Sequence, residues 1–382
     1  MSENMSRPAE VFPPGEFLME ELEARGWNQK DLAVILGRPI GLVSEILSGK
    51  RGLTVETAQG LGDALGTSAE VWLKLEAEYR AAESESDSSV AQRARIFEKV
   101  PVREMLQRGW IKVTDDPSEL EGRVLHFLGI GNLDEEPSLT RYAARKSTKY
   151  GTTTSAQMAW LFRCRQLART LDVRRFTSAR FGTALTELRS LKGEAEEFRN
   201  VPKVLAEAGI RLVVVQHLQG TKFDGACFWL NATSPVVALS GRYDRIDNQW
   251  HTLMHELGHI LARDGLENID YYAVDEDLGG QGPNERPQAE KDADSFAVSF
   301  LVDQDQLDNF IIRVAPLYSR QRILGFAQRL GVHAGIVVGQ LHWRDEIPYS
   351  HNRGMLVKVR SFLTNAALTD GWGFTPPVAP IA

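Results

Sequence analysis

Three residues in one short stretch can do metal chemistry: His255, Glu256 and His259, in the order His-Glu-Leu-Gly-His. On a helix, positions i and i+4 share a face, so both imidazoles can reach one ion. Zn²⁺ accepts neutral imidazole nitrogen and, where it is catalytic, takes three protein ligands and keeps one position open. Glu256 is turned about 100° around the helix axis from His255. Its carboxylate suits a water beside the ion, as a general base, better than the ion itself. The third ligand is expected downstream. Glu290 is the best candidate, 31 residues after His259 and early in EKDADSFAVSFL. Asp294, at i+4 from Glu290, would either hold an imidazole N–H or be the ligand itself. His251 extends the row to three turns, about 12 Å of helix. One ion bridges that span poorly, so His251 reads as a packing group or a support for a ligand. Tyr271, Tyr272, His333 and His351 are the candidates for a transition-state electrophile.

The elements that must position these groups follow from hydrophobic periodicity. A helix is expected from about 247 to 262, with Trp250, Leu253, Leu257, Ile260 and Leu261 to bury its other surface. Before it, RLVVVQHL (211–218), GACFWL (225–230) and SPVVALS (234–240) read as strands. After it comes a Gly-rich acidic stretch, and then a second helix over about 288–301. Residues 264–290 hold eight acidic groups and one basic group. Asp264, Asp275, Glu276 and Asp277 could suggest a second cation, but a solvated acidic loop fits better.

A second function can be read near the start of the sequence. Residues 14–80 form short amphipathic segments separated by stops at Gly26, Gly37, Gly49 and Gly66, a pattern for five compact helices. Asn28, Thr54 and Ser68 stand where caps belong. A capped helix, a glycine turn and a second helix over 28–51 fit helix-turn-helix geometry, with Leu32, Ala33, Leu36, Val43, Ile46 and Leu47 as shared core. The second helix starts at Pro39-Ile40. Arg38, Ile40, Gly41, Ser44 and Glu45 are the candidate base readers, and Gln29, Lys50 and Arg51 suit phosphates. The rival reading is a plain helical bundle used for dimerisation. It draws support from 8 basic against 13 acidic residues over 1–80. Paired DNA readers usually follow two-fold symmetry, so a homodimer is expected.

Over 382 residues the net charge is −7, so nucleic-acid binding must rest on a local patch. The strongest basic stretch is 141–192, with 12 basic and 2 acidic residues, and a solvated helical face is its simplest reading. The two cysteines, Cys164 and Cys227, form no CxxC and have no catalytic context, which fits a reducing cytoplasmic setting. The opening residues lack a signal-peptide pattern, and no run of 18 apolar residues predicts a membrane span. GIGN (129–132) is too short for a phosphate loop, and no GxSxG occurs.

Taken together these residues are familiar. NQKDLAVILGRPIGLVSEILSGKRGLT with LGTSAEVWLKLEAEY resembles the HigA/VapI antidote branch of the XRE-type helix-turn-helix family. GACFWLNATSPVVALSGRYDRIDNQWHTLMHELGHIL, EKDADSFAVSFLV and GVHAGIVVGQLHWRDEIP resemble, in family order, the ImmA/IrrE zinc metallopeptidases. The second resemblance implies zinc held by His255, His259 and Glu290, the last as the Glu of an ExxA(N/D)xxFA motif, with Glu256 as the catalytic base. It also implies cleavage of a helix-turn-helix repressor. The first implies operator DNA and, more weakly, a small toxin as partners. His251 stands where relatives usually have an aromatic, Asp294 where many have Asn, and Ala334 where Pro is common. None of these departures removes a ligand.

The expected fold is mainly α with a smaller β component (α+β). A five-helix helix-turn-helix domain over 1–81 and a linker over 82–95 lead to a helical, partly basic middle region over 96–204. A zincin-like metallopeptidase domain over 205–360 and a Pro-rich tail over 361–382 complete the chain. The expected function is a cytoplasmic DNA-binding regulator whose zinc peptidase cleaves a regulatory protein, a repressor or its own linker near 82–90. The alternative is a non-enzymatic antitoxin or repressor whose metal domain is a sensor or partner-binding module.

Overall fold

The computed structural model describes residues 12–83, 88–137, 154–266, 273–276 and 287–377. The chain divides into two compact units, Met1–Ala91 and Gln92–Ala382. The class is α+β, with helices dominant.

The first unit is built from α1 (Pro14–Arg25), α2 (Gln29–Leu36), α3 (Ile40–Leu47), α4 (Val55–Leu65) and α5 (Ala69–Glu83). The breaks have local causes. Gly26, Gly37 and Gly66 follow α1, α2 and α4 with φ of 68°, 61° and 75°. That is the left-handed conformation, which glycine adopts without strain. Asn28 closes a capping box. Its side chain accepts from the Lys30 and Asp31 N–H groups, and the Asp31 carboxylate accepts from the Asn28 N–H. Leu18, Leu32, Val43, Ala58, Leu61 and Trp72 fill the core. Gly15 lets α1 rest on α3, since a Cβ there would lie 2.5 Å from the Leu47 carbonyl oxygen.

Helix α6 (Ser88–Lys99) spans the division at residue 91, and the second unit continues with α7 (Val102–Gln107), α8 (Pro117–Leu128), α9 (Ser155–Thr170), α10 (Ser178–Leu191) and α11 (Val201–Ala208). Residues 88–95 of the expected linker are therefore helical, and 84–87 lie outside the described residues. Next come β1 (Arg211–Val215), β2 (Phe223–Trp229), β3 (Pro235–Leu239), α12 (Ile246–Ala262), β4 (Ala273–Glu276) and α13 (Gln288–Leu301). The rest is α14 (Gln304–Val314), α15 (Arg320–Leu330), α16 (Ala334–Trp343), α17 (Arg360–Thr364) and β5 (Leu368–Asp370). The sheet order is β4-β2-β3-β1-β5, with β3 and β5 parallel to β1, and β2 antiparallel to β3 and β4.

Side chains alternate across a strand, and here both faces are buried. Leu212, Val214, Cys227, Trp229, Val237 and Leu239 join the core around α10–α16. Val213, Val215, Ala226, Phe228, Val236 and Ala238 join a second core with α6–α9. The middle-region helices thus cover one face of the sheet and contribute to the other.

The basic stretch divides accordingly. Arg163 is buried, its Nε 2.5 Å from Asp370 Oδ2, and Trp110 Nε1 donates to the same carboxylate. Lys192 is buried as well, its Nζ donating to the Phe300 and Leu301 carbonyls at the end of α13. Burial pushes its pKa down to about 8. A solvated face describes Arg174, Arg175 and Arg180 but not these two, while 141–153 lie outside the described residues. Part of the stretch expected as a Pro-rich tail forms α17 and β5.

Candidate metal centre

Helix α12 carries the His-Glu-x-x-His run on its buried side. Trp250, Leu253, Leu257 and Ile260 pack into the core, while Leu261, expected with them, is 53% exposed. Helix α13 packs tightly against α12 because both are small at the crossing. A Cβ on Gly258 would lie 3.1 Å from Ala293 Cα and 3.2 Å from Phe296 Cδ1. That approach brings Glu290, in the first turn of α13, to the histidine pair.

Three donors converge. His255 Nε2 and His259 Nε2 lie 3.0 Å apart. Glu290 Oε2 is 3.1 Å from His255 Nε2, and Oε1 is 3.7 Å from His259 Nε2. The opposite ring nitrogens face other carboxylates. His255 Nδ1 is 2.9 Å from Asp294 Oδ1, and His259 Nδ1 is 2.8 Å from Asp264 Oδ2. Each pairing favours a proton on Nδ1, which then donates to the carboxylate and turns the Nε2 lone pair inward. Two bare imidazole nitrogens and a carboxylate facing one another repel unless a cation lies among them. His255, His259 and Glu290 are also the group of described residues whose ligand atoms suit one metal ion.

Asp264 was readable from the sequence only as part of an acidic loop. Its placement depends on the end of α12. Arg263 takes a left-handed conformation, with φ of 59°. That reverses the chain so that the Asp264 carboxylate returns to His259. Trp229 Nε1 donates to the Asp264 carbonyl and holds that turn against β2. The available signal was an acidic residue just past the helix stop, five positions from the second histidine.

Glu256 is fully buried, beneath β2. A Cβ on Gly225 would stand 2.6 Å from Glu256 Oε1 and 2.8 Å from Thr252 Cγ2. Only a residue without a side chain lets the strand pass this close. A lone glycine inside a strand pattern is the signal that could have found it. Cys227, two positions on, is buried in the core, and burial, reinforced by the Glu256 and Asp264 carboxylates, pushes its thiol pKa well up.

The other site candidates lie elsewhere. His251 Nε2 is 4.0 Å from Asp294 Oδ1, at the rim of a separate cavity. His333 caps α16 by accepting from the Gly335 N–H, and burial lowers its pKa. The His351 carbonyl faces His342 Nε2 at 2.9 Å. Tyr271 and Tyr272 lie outside the described residues. On the first unit, Gln29, Ile40, Gly41, Ser44, Glu45, Lys50 and Arg51 are exposed along α2, α3 and the turn after it. Arg38 pairs with Glu56 at 2.5 Å, and Arg51 with Glu45 at 3.0 Å.

Residues 18–72 match the family model for the helix-turn-helix, and residues 208–341 match that for the IrrE N-terminal-like domain of peptidase family M78. The chain joins a helix-turn-helix DNA-binding domain to a metallopeptidase-type domain. It is similar to an addiction module antidote protein of the HigA family from Coxiella burnetii, with 37% identity, covering 19% of this chain and 79% of that one at a TM-score of 0.19. It is also similar to the Pseudomonas aeruginosa antitoxin HigA solved with the higBA promoter, with 30% identity, covering 23% of this chain and 91% of that one at a TM-score of 0.19. No curated protein matches the chain. Among the described residues, no helix is long and apolar enough to cross a membrane.

Proposed function

We propose that this chain is a cytoplasmic transcriptional regulator whose peptidase domain uses Zn²⁺ to cleave a regulatory protein, either a helix-turn-helix repressor or the chain itself. The observation that carries the reading is the convergence of His255 Nε2, His259 Nε2 and Glu290, with both Nδ1 atoms tied to carboxylates. The donor separations are 3.0, 3.1 and 3.7 Å. They bracket the ~3.3 Å between neighbouring ligands of a tetrahedral ion with bonds of about 2.0–2.1 Å. The set of two neutral imidazoles and one carboxylate also suits zinc.

When bound, Zn²⁺ would polarise the scissile carbonyl and acidify water. The remaining chemistry belongs to the protein. Asp294 and Asp264 hold the Nδ1 protons and keep both rings in one tautomer. Glu256 takes a proton from the attacking water and delivers it to the departing amine. Its burial beneath Gly225 fixes the carboxylate in a water-poor setting, where its charge acts strongly.

On the DNA side, α3 enters the major groove of an operator with Ile40, Gly41 and Ser44 near the bases. Gln29, Lys50 and Arg51 meet phosphates, Arg51 exchanging Glu45 for the backbone, while Arg38 leaves Glu56 for a base edge. A homodimer doubles these contacts, and a small toxin is the further partner on the antidote side.

Glu256→Gln tests the enzymatic half. Peptide hydrolysis should fall by at least about a hundredfold, while metal content and operator binding stay as in the parent. A variant with full biological activity would make the metal domain a sensor instead. An unchanged intact mass after long incubation with Zn²⁺ would reject self-cleavage.

A further inference from the structure

Between α12, α13 and α16, one helical turn from the metal centre, lies a cavity of about 390 Å³. That is within the range of pockets that enclose small ligands. We propose that it is a specificity pocket receiving an uncharged aromatic side chain, tyrosine or tryptophan, of a peptide held at the metal centre. The proposal rests on the peptidase reading above.

Continuity with the centre comes first. His251, in the cavity wall, is one turn before His255, with Nε2 4.0 Å from Asp294 Oδ1. Val298, also in the wall, is one turn after Asp294 on α13. Four residues are about 6 Å of helix, and an extended peptide advances about 3.3 Å per residue. The cavity is therefore in reach of a side chain within about two residues of the scissile bond.

The chemistry of the wall selects the occupant. Tyr243, Trp343 and Tyr349 border it and are 40%, 68% and 59% exposed. Such exposure is unusual for three large aromatics on one rim. Flat rings offer faces and edges to another ring. The charges in the wall cancel locally, because Arg245 Nε and Nη2 lie 3.1 and 2.5 Å from the Asp247 carboxylate. A charged side chain would lose water there without gaining a counter-ion. One polar atom is left over: among the described residues Asn248 Oδ1 is buried with no hydrogen-bond partner. Turning the Asn248 amide toward the cavity would open this atom to a tyrosine O–H or an indole N–H, donors that both come on an aromatic body.

Two measurements test this. The full-length Glu256→Gln protein loaded with Zn²⁺ is titrated with N-acetyl-tyrosinamide, N-acetyl-tryptophanamide and N-acetyl-lysinamide by ligand-observed NMR. The aromatic amides should bind at least about tenfold more tightly than the lysine amide, and Trp343→Ala/Tyr349→Ala should remove that preference. Both replaced side chains are exposed, so the fold survives, and Asn248→Leu serves as an independent variant that weakens the aromatic amides alone. Equal binding of all three amides, or a preference untouched by these variants, overturns the proposal. In parallel, the unsubstituted protein cleaves a mixture of unstructured peptides, and the cut sites are read by mass spectrometry. Tyrosine or tryptophan enriched within two residues on one side of the cut supports the pocket. Cuts without that enrichment overturn the pocket and leave the peptidase standing. Aromatic binding with no cut in any peptide overturns the peptidase reading, and the pocket's role in a substrate falls with it.

Discussion

Replacing Gly225 with alanine adds one methyl group between β2 and α12. The new Cβ would stand 2.6 Å from Glu256 Oε1, against 3.4 Å for an ordinary contact, so about 0.8 Å must be found. The carboxylate is the flexible partner and moves first. The Thr252 methyl would lie 2.8 Å from the same Cβ. It is buried and stiff at χ1, so it cannot absorb the rest. A displacement near 1 Å at a catalytic group costs about a hundredfold in rate. The three atoms nearest this methyl belong to Glu256 and Thr252, none of them to His255, His259 or Glu290. The expected result is a hundredfold loss of kcat in a peptide-hydrolysis assay, with metal stoichiometry near the parent's and a melting temperature lowered by a few degrees. Gly225→Ala with full activity would show that Glu256 is not held where the general-base role requires. Loss of bound metal in the same variant would show that the strand supports the ligands instead.

Other perturbations test other parts of the argument. Asp264→Ala should weaken metal binding about 10–100-fold by chelator competition, since it frees the His259 ring; unchanged affinity would reject its orienting role. Arg163→Met strands the buried Asp370 carboxylate and should cost about 3–5 kcal/mol in denaturant unfolding. Adding Asp370→Leu to it should recover much of that loss, and additive losses would contradict the pairing. Burial, the first cause at each, lowers the pKa values of His217, His333 and His342. The unfolded chain then takes up protons first as pH falls, so stability is full above about pH 6.5 and declines below it. His217→Gln should flatten that decline, and an unaltered pH profile would show that His217 contributes nothing to it.

The sequence announces the elements whose signals are local. Helix α13 runs over Gln288–Leu301, the expected span, and α12 starts one residue early at Ile246. The caps and glycine stops of the first unit depend on residues within four positions of one another, so they read directly. Strands β1, β2 and β3 announce themselves by apolar runs. Strand β5 does not, because Leu-Thr-Asp is too short to carry a pattern and pairs with β1 more than 150 residues away. The same distance hides the inward turn of Arg163, whose partner Asp370 sits on that strand. At the metal centre, the i and i+4 spacing places the two histidines on one face. The contacts of Gly225 and Asp264 depend on strand register and on a left-handed turn, neither of which spacing specifies.

The segment that carries the IrrE-like match, 208–341, is shorter than the piece that must fold. Its sheet has two greasy sides, and the wall against one of them is supplied by helices starting near residue 96, while the outermost strand arrives only at 368–370. A truncation at the match boundaries would bare that side to water and leave an open edge along β1, an invitation to aggregate. Inheritance and folding therefore count this IrrE-like domain in different units, and an expression plasmid should follow the longer one, from about residue 92 to 377.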